Sequence, residues 1–382
     1  MKIGIDARMY QDTGIGRYIS NLIKELERID NQNDYVIFVT NEGSELYHPN
    51  NPRFKKWIAN YPIYSFSEQT SFLFDLYRAN LDLLHVPHFN VPVFYTGKMV
   101  VTIHDLTMHD FKSSNATNQD PFMFSVKQFA YKFVTSSASR KAKKIFVPSS
   151  VVKEEVVSRL RFAKESKIVV THEGVDDTLA KYKAKDMKAV KTRLEEMQIN
   201  NSYVLYVGNA YPHKNLESLV IAYKELLESG KYRGFLVVAG KVDKFSERLA
   251  GFVHALKLDQ HVIFAARYSE KTRVTDQDLS YLYMGATAYI LPSLKEGFSI
   301  TPLEAQSFDI PVLISDIPTH KEVFADSVLY FDPNSNIDLS EKMLSIINNE
   351  SLRKRLTEAG HENVKKYSWA NLAKKTLEQY LN

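Results

Sequence analysis

Two glutamates eight positions apart, Glu296 and Glu304 in the stretch KEGFSITPLE, are the residues whose type and spacing most suggest chemistry. Carboxylates accept hydrogen bonds from sugar hydroxyls with directional specificity. Between them Gly297, Phe298, Ser299 and Ile300 form a short loop that runs into a helix expected to begin at Thr301-Pro302. Backbone N–H groups of such a loop, together with the positive end of a helix, can cradle a diphosphate. The same letters also spell a helix start: Thr301 as N-cap, Pro302 at the first helical position and Glu304 at the third make a capping box. Capping and ligand binding therefore compete for Glu304, while Glu296 has no local structural explanation.

Other candidates lie at the ends of apolar runs. His104 and Asp105 directly follow residues 99–103, MVVTI, so they fall at the carboxyl edge of a strand. A histidine there can exchange a proton near neutral pH, although a lone histidine is as often structural. Lys214 follows His213 just before a helix, where the macrodipole favours anions. A phosphate bound at that end would reconcile the two, whereas a solvated loop lysine is the plain alternative. Gly208 and Asn209 close the strand before it. Gly14 and Gly16, in TGIGRY, let the backbone approach a ligand at the start of the first helix, or simply make a tight turn. A dinucleotide fingerprint is not met, because Ile19 occupies the place of its third glycine and the second strand ends in Thr40 and Asn41 without an acid. Asp276 and Asp278 have a metal-binding spacing. Thr275 or Asp276 as N-cap, with acids in the first turn, accounts for them, so no metal site is expected.

The elements that must position these groups come from hydrophobic patterning. The helix GRYISNLIKELERI places Ile19, Leu22, Ile23, Leu26 and Ile29 on one face. KIGID, YVIFVT, LLHVP, MVVTIHDL and KIFVPSS read as five strands alternating with helices, which implies a parallel sheet. Around residues 175–200 the pattern gives way to a charged, strandless tract, read as a linker. It then restarts with SYVLYVGN, GFLVVAG, HVIFAA, AYILPS, PVLIS and VLYF. The expectation is α/β, with two doubly wound, Rossmann-like domains facing each other across a cleft. Their expected bounds are 1–178, with a closing helix 367–382 packing back on the first, and 179–366.

With 382 residues a second core is needed, in keeping with two domains. The chain has no cysteine, so disulfides and thiolate metal sites are excluded. MKIGIDARMY carries Asp6 and Arg8 where a signal peptide would be apolar, so it reads as a mature strand. No eighteen-residue apolar run is present, and the net charge of +4 is too mild to argue for nucleic acid.

Taken together these motifs resemble the retaining glycosyltransferases of the GT-B fold, in family 4. IGIDARMYQDTGIGRYISNL is similar to the family's opening strand and glycine turn. VTIHDL and KIFVPSSVVKEEV resemble its later landmarks, and THEGVD its hinge. YVGNAYPHKNLESLVIAY and LYMGATAYILPSLKEGFSITPLEAQSFDIPVLISDIPTHKEV resemble its donor site. The resemblance implies that Glu304 holds the donor ribose. Glu296, Gly297, Phe298 and Ser299 would contact the donor sugar and phosphates, with Ile300 beside them. Lys214, with Gly208, Asn209 and His213 around it, would neutralise the diphosphate. His104, beside Asp105, would lie against the transferred sugar, and Gly14 and Gly16 would admit donor and acceptor. The chain departs from the family where Asn209 and His213 stand in place of an arginine, and where Ser299 and Asp309 replace glycines.

The implied activity is metal-independent transfer of a sugar from a GDP- or UDP-sugar, first GDP-mannose, to a hydroxyl of a glycan or lipid-linked acceptor. It requires no further cofactor. Resemblance to bacterial polysaccharide and O-antigen mannosyltransferases places this in cell-surface polysaccharide synthesis, in the cytoplasm at the inner face of the membrane. Lys55 and Lys56 with Trp57, Tyr61, Tyr64, Phe66, Phe72 and Phe74, and a second group around Lys127 and Lys132, suit a membrane interface. A core helix with a wet lysine face is the competing reading. An epimerase of the same fold and a catalytically silent sugar-nucleotide-binding subunit are the rival functions.

Overall fold

A computed structural model describes residues 1–12, 14–110, 121–175, 179, 181–183, 187–269 and 272–382, with the side chains of 108, 110 and 121–127 excepted. The chain divides into two units, Met1–Glu173 with Ser368–Asn382, and Gly174–Tyr367.

Unit 1 holds seven parallel strands: β1 (Lys2–Asp6), β2 (Asp34–Val39), β3 (Phe54–Ile58), β4 (Leu83–Val86), β5 (Met99–Thr102), β6 (Ile145–Val147) and β7 (Ile168–Val170). They lie in the order β3-β2-β1-β4-β5-β6-β7. Five match the apolar runs read from the sequence, and β3 and β7 are added at the two edges. Lys55, Lys56 and Trp57 thus belong to an edge strand, not to a core helix or an amphipathic one, and only Phe54 is buried there. The helix Gly14–Ile29 buries Ile19, Leu22, Ile23 and Leu26, as a 3.6-residue period requires, with Ile29 only partly covered. The closing helix Trp369–Leu381 belongs to this unit, where the Tyr380 hydroxyl meets His85 Nδ1 at 2.5 Å.

Unit 2 holds β8 (Tyr203–Val207), β9 (Phe235–Ala239), β10 (Val262–Phe264), β11 (Ala288–Leu291), β12 (Val312–Ser315) and β13 (Leu329–Phe331), in the order β10-β9-β8-β11-β12-β13. All pair in parallel. Their apolar runs are continuous because helices cover both faces of the sheet. Part of the charged tract read as a linker is the helix Met187–Glu196, tied to this unit by Arg193 Nε, 2.8 Å from Asp278.

In each sheet the strand order reverses once, between β1 and β4 and between β8 and β11. Connections leave a doubly wound sheet in opposite directions at that point, which opens a crevice at the carboxyl ends of the strands.

Candidate functional site

In unit 2 the reversal point brings two loops together. After β8 the chain turns at Gly208, whose φ of +147° disfavours any side chain, and closes a short 3₁₀ turn, Pro212–Lys214. After β11 it runs through Ser293 to Ser299 before entering the helix Ile300–Ser307. The Leu294 N–H donates to the His213 carbonyl at 2.8 Å, which locks one loop to the other. The result is a short ion pair, Lys214 Nζ to Glu296 Oε1 at 2.6 Å, with the Ser293 hydroxyl donating to the same oxygen at 2.6 Å.

Both partners are largely withdrawn from water, their side chains 20% and 10% exposed. Burial alone would push the Glu296 carboxyl up. The Lys214 charge, then His213 and the Ser293 hydroxyl, outweigh burial and hold it below its ordinary value. Glu296 is therefore ionised at neutral pH. It occupies one of the three N–H donors of the ammonium, and phosphate oxygens can compete for the others.

Glu304 stands differently. Its side chain is fully buried, and its carboxylate accepts the Tyr283 hydroxyl at 3.0 Å. The expected capping box does not form: the helix begins at Ile300, with Ser299 as an N-cap that makes no side-chain cap bond. Thr301 instead pairs with the Tyr289 hydroxyl at 2.7 Å. Pro302 sits at the third helical position and Glu304 at the fifth, a full turn in, beyond the reach of the N-terminal orphan donors. Phe298 is buried against Tyr367, so only its backbone faces the loop. Asp278 pairs with Arg193 while Thr275 caps its helix, which accounts for the D-x-D. Among the described residues no group of three or more His, Cys, Asp or Glu is arranged to hold a metal ion.

In unit 1 His104 follows β5. Its Nε2–H donates to the Pro87 carbonyl at 3.0 Å, and Nδ1 lies 3.3 Å from Glu173 Oε1. Burial would lower its basicity, but the Glu173 carboxylate, the Pro87 carbonyl and Asp105 outweigh it, so the imidazole titrates above its ordinary value. Asp105 accepts the Thr107 N–H at 2.7 Å and starts the short helix there. His85 and His88, at the end of β4, are buried and pushed down to about 3, so they are neutral. Gly16 packs against backbone: a methyl there would meet the Tyr10 carbonyl at 2.6 Å, whereas one on Gly14 would meet nothing.

Sequence reasoning did not find Glu173, Ser293, Thr319 or His320. Glu173 lies 69 positions from His104 and His320 lies 21 from Ser299, so only the fold joins them. Position just past a strand's carboxyl end was the available signal for Ser293.

A model of "Glycosyl transferases group 1" matches residues 193–363, and one of "Glycosyltransferase Family 4" matches residues 13–179. O-antigen chain mannosyltransferase B of Escherichia coli is 24% identical over 389 residues, covering 97% of this chain and 96% of that protein. A glycosyltransferase of Rickettsia africae superposes with a TM-score of 0.74 at 19% identity, over 99% of this chain and 97% of that one. Anabaena HepE, solved with UDP-glucose, gives 0.75 at 13% identity, over 100% and 99%. The shared architecture is the GT-B fold of two Rossmann-like domains.

Proposed function

The chain belongs to the glycosyltransferases of group 1 and family 4, and we propose from that premise that it is a retaining, metal-independent mannosyltransferase using GDP-mannose. The acceptor is a hydroxyl of a glycan or lipid-linked sugar in cell-surface polysaccharide synthesis. Unit 2, with bounds near 179–366, takes the donor, and unit 1 takes the acceptor. The observation that carries this reading is the Lys214–Glu296 pair at the reversal point of the second sheet.

As the bond from sugar to diphosphate breaks, negative charge builds on the leaving phosphate. Lys214 and the N–H groups of residues 297–300 are fixed before the reaction, so stabilising that charge requires little reorganisation; each good donor of this kind contributes about 3 kcal/mol. The acceptor proton passes to the departing phosphate, and the new bond forms on the face the phosphate leaves. Glu296 orients Lys214 and accepts sugar hydroxyls. We place His104 beside the transferred sugar and assign Gly14 to substrate approach. Glu304, covered in this conformation, binds ribose only after its surroundings open.

The alternative donor is a UDP-sugar, favoured by the nucleotide bound in Anabaena HepE. Contact with the inner face of the membrane is part of the same reading. Phe66, Phe74, Phe94 and Phe129 of unit 1 are more than half exposed, and Arg78 lies against Phe74. Among the described residues no helix is long and apolar enough to cross a membrane, so contact would be peripheral.

Thermal unfolding with GDP-mannose, UDP-glucose and the free diphosphates tests the donor. A ligand at one hundred times its Kd stabilises by about 2.7 kcal/mol. GDP-mannose is expected to raise the midpoint most, and to release GDP with inversion absent from the product. If no nucleotide sugar moves the midpoint and none is consumed with any glycan acceptor, the proposal fails.

A further inference from the structure

We propose that His320 is a positioning residue for the donor loop, accepting the Ser299 hydroxyl and thereby holding residues 296–300 in the shape that takes a diphosphate. The inference rests on the reading of unit 2 as the nucleotide-sugar site and names what keeps that site in form.

Ser299 has φ 78° and ψ 78°, a left-handed conformation in which an L side chain is strained. Such a backbone persists only where its surroundings over-determine it. The Ser299 hydroxyl does not cap the helix that follows; it lies 3.1 Å from His320 Nε2. The direction of that bond is set at the other side of the ring. His320 Nδ1 is 2.8 Å from the Ser315 carbonyl, which can only accept, so Nδ1 carries the hydrogen and Nε2 presents a lone pair. The hydroxyl of Ser299 must then donate. His320 is fully buried, and burial, with Lys214 acting in the same direction, holds the ring down to about 4 despite Glu296, the Ser315 carbonyl and Asp316. The acceptor is thus present throughout the neutral range.

Two more ties come from the same neighbouring segments. The Thr319 hydroxyl donates to the Glu296 carbonyl at 2.9 Å, and the Ser315 hydroxyl donates to the Ser293 carbonyl. The end of β12 and the first turn of the helix Pro318–Phe324 therefore grip the loop at residues 293, 296 and 299. These points bracket the carboxylate that meets Lys214. Of the three, only the tie at Ser299 holds a strained residue, so its loss lets the loop relax.

The test uses the whole chain with His320→Asn, Ser299→Ala and the double variant. Asparagine can reach the Ser315 carbonyl as Nδ1 does but cannot reach Ser299. Each single variant is expected to raise the donor KM about tenfold, the range one lost hydrogen bond spans, with kcat within about twofold. The double variant should be no worse than either single, because both remove one contact. Ser299→Gly, which removes the strain along with the hydroxyl, should keep the wild-type unfolding midpoint while its donor KM still rises. Amide exchange over 296–300 should quicken in all of them. Folded variants with wild-type KM, or single effects that add, overturn the proposal alone. A wild-type protein that binds neither GDP- nor UDP-sugars overturns the donor-site reading and this inference with it.

Discussion

The two units share one architecture, yet the carboxyl edges of their sheets are furnished for different work. Unit 2 sets a lysine against a glutamate, both largely withdrawn from water, with a serine hydroxyl on the same carboxylate oxygen. Unit 1 sets a histidine between a carboxylate and a carbonyl, with two neutral histidines on the neighbouring strand and the loop just after it. A permanent cation already neutralised by its partner can meet an incoming anion without a change in protonation. A histidine whose basicity is raised by Glu173 holds its proton more readily than a free imidazole. The same fold thus furnishes one edge with a paired lysine and the other with a titrating histidine, and fold alone assigns neither a role.

The sharpest way to break that contrast is to remove the cation. Lys214→Ala should lower kcat/KM by roughly 10²–10³-fold, the range for deleting one preorganised charge-stabilising donor. It should also raise the Glu296 carboxyl toward its ordinary value, because the largest charge opposing burial is gone, with only His213 and the Ser293 hydroxyl left to act against it. Lys214→Arg keeps the charge but not the compact geometry, so partial recovery is expected. Steady-state kinetics with the donor that stabilises the protein reads all three. A Lys214→Ala variant of full activity would remove the anion-binding role from this edge.

The titrating edge is tested through Glu173. Glu173→Gln keeps the side-chain shape but removes the charge that raises His104. The basic limb of the pH–rate profile should move to lower pH, and activity on that limb should fall below wild type. Donor-induced thermal shifts should not change. The sign also holds for stability. A histidine raised in the folded state stabilises it below the unfolded value, and that contribution is lost as pH rises through the folded one. Wild type should therefore lose its advantage over Glu173→Gln on the alkaline side. An unmoved profile would make the His104–Glu173 contact structural.

Legibility in the sequence differed between the units for a physical reason. The central strands of unit 2, β8, β11 and β12, are buried on both faces, so each reads as an apolar run. In unit 1 the edge strand β3 carries two lysines, so it leaves no uninterrupted apolar run. Glu296 and Lys214 stood out by type and by place just beyond a strand. Their supports, Ser293, Thr319 and His320, arrive from separate segments and carry no pattern of their own. The capping box at Thr301 was a plausible local reading that lost to tertiary packing, since Tyr289 engages the threonine and the helix starts two residues earlier.

Acid sharpens the comparison in another way. His85 and His88 in unit 1 are held down to about 3, and His320 in unit 2 to about 4. Such groups stay neutral in the fold but take up protons when unfolded. Their contribution is complete above pH 6.5 and drains as pH falls, by up to about 1.4 kcal/mol per pH unit for each histidine. Glu296, lowered from its ordinary value, adds a loss only below about pH 4.5. Between pH 6.5 and 5 unit 1 should therefore open before unit 2, as amide exchange over β4 and β11 would register. Equal loss of protection in both units would contradict the burial of His85 and His88.

The smallest effect separates two glycines two positions apart. Gly16 lies under the turn that carries Met9 and Tyr10, and a methyl there collides with backbone that cannot yield. Gly16→Ala should destabilise by roughly 1–3 kcal/mol, as overpacking does, whatever ligand is present. Gly14 opens the same helix with empty space where a methyl would go. Gly14→Ala should leave the unfolding midpoint unchanged or slightly higher, since alanine favours a helix by up to about 1 kcal/mol over glycine. If substrate approaches this turn, Gly14→Ala will raise a KM by a few-fold without touching stability. If both KM values stay at wild type, Gly14 marks only the start of a helix, and the glycine turn of unit 1 is a packing device centred on Gly16.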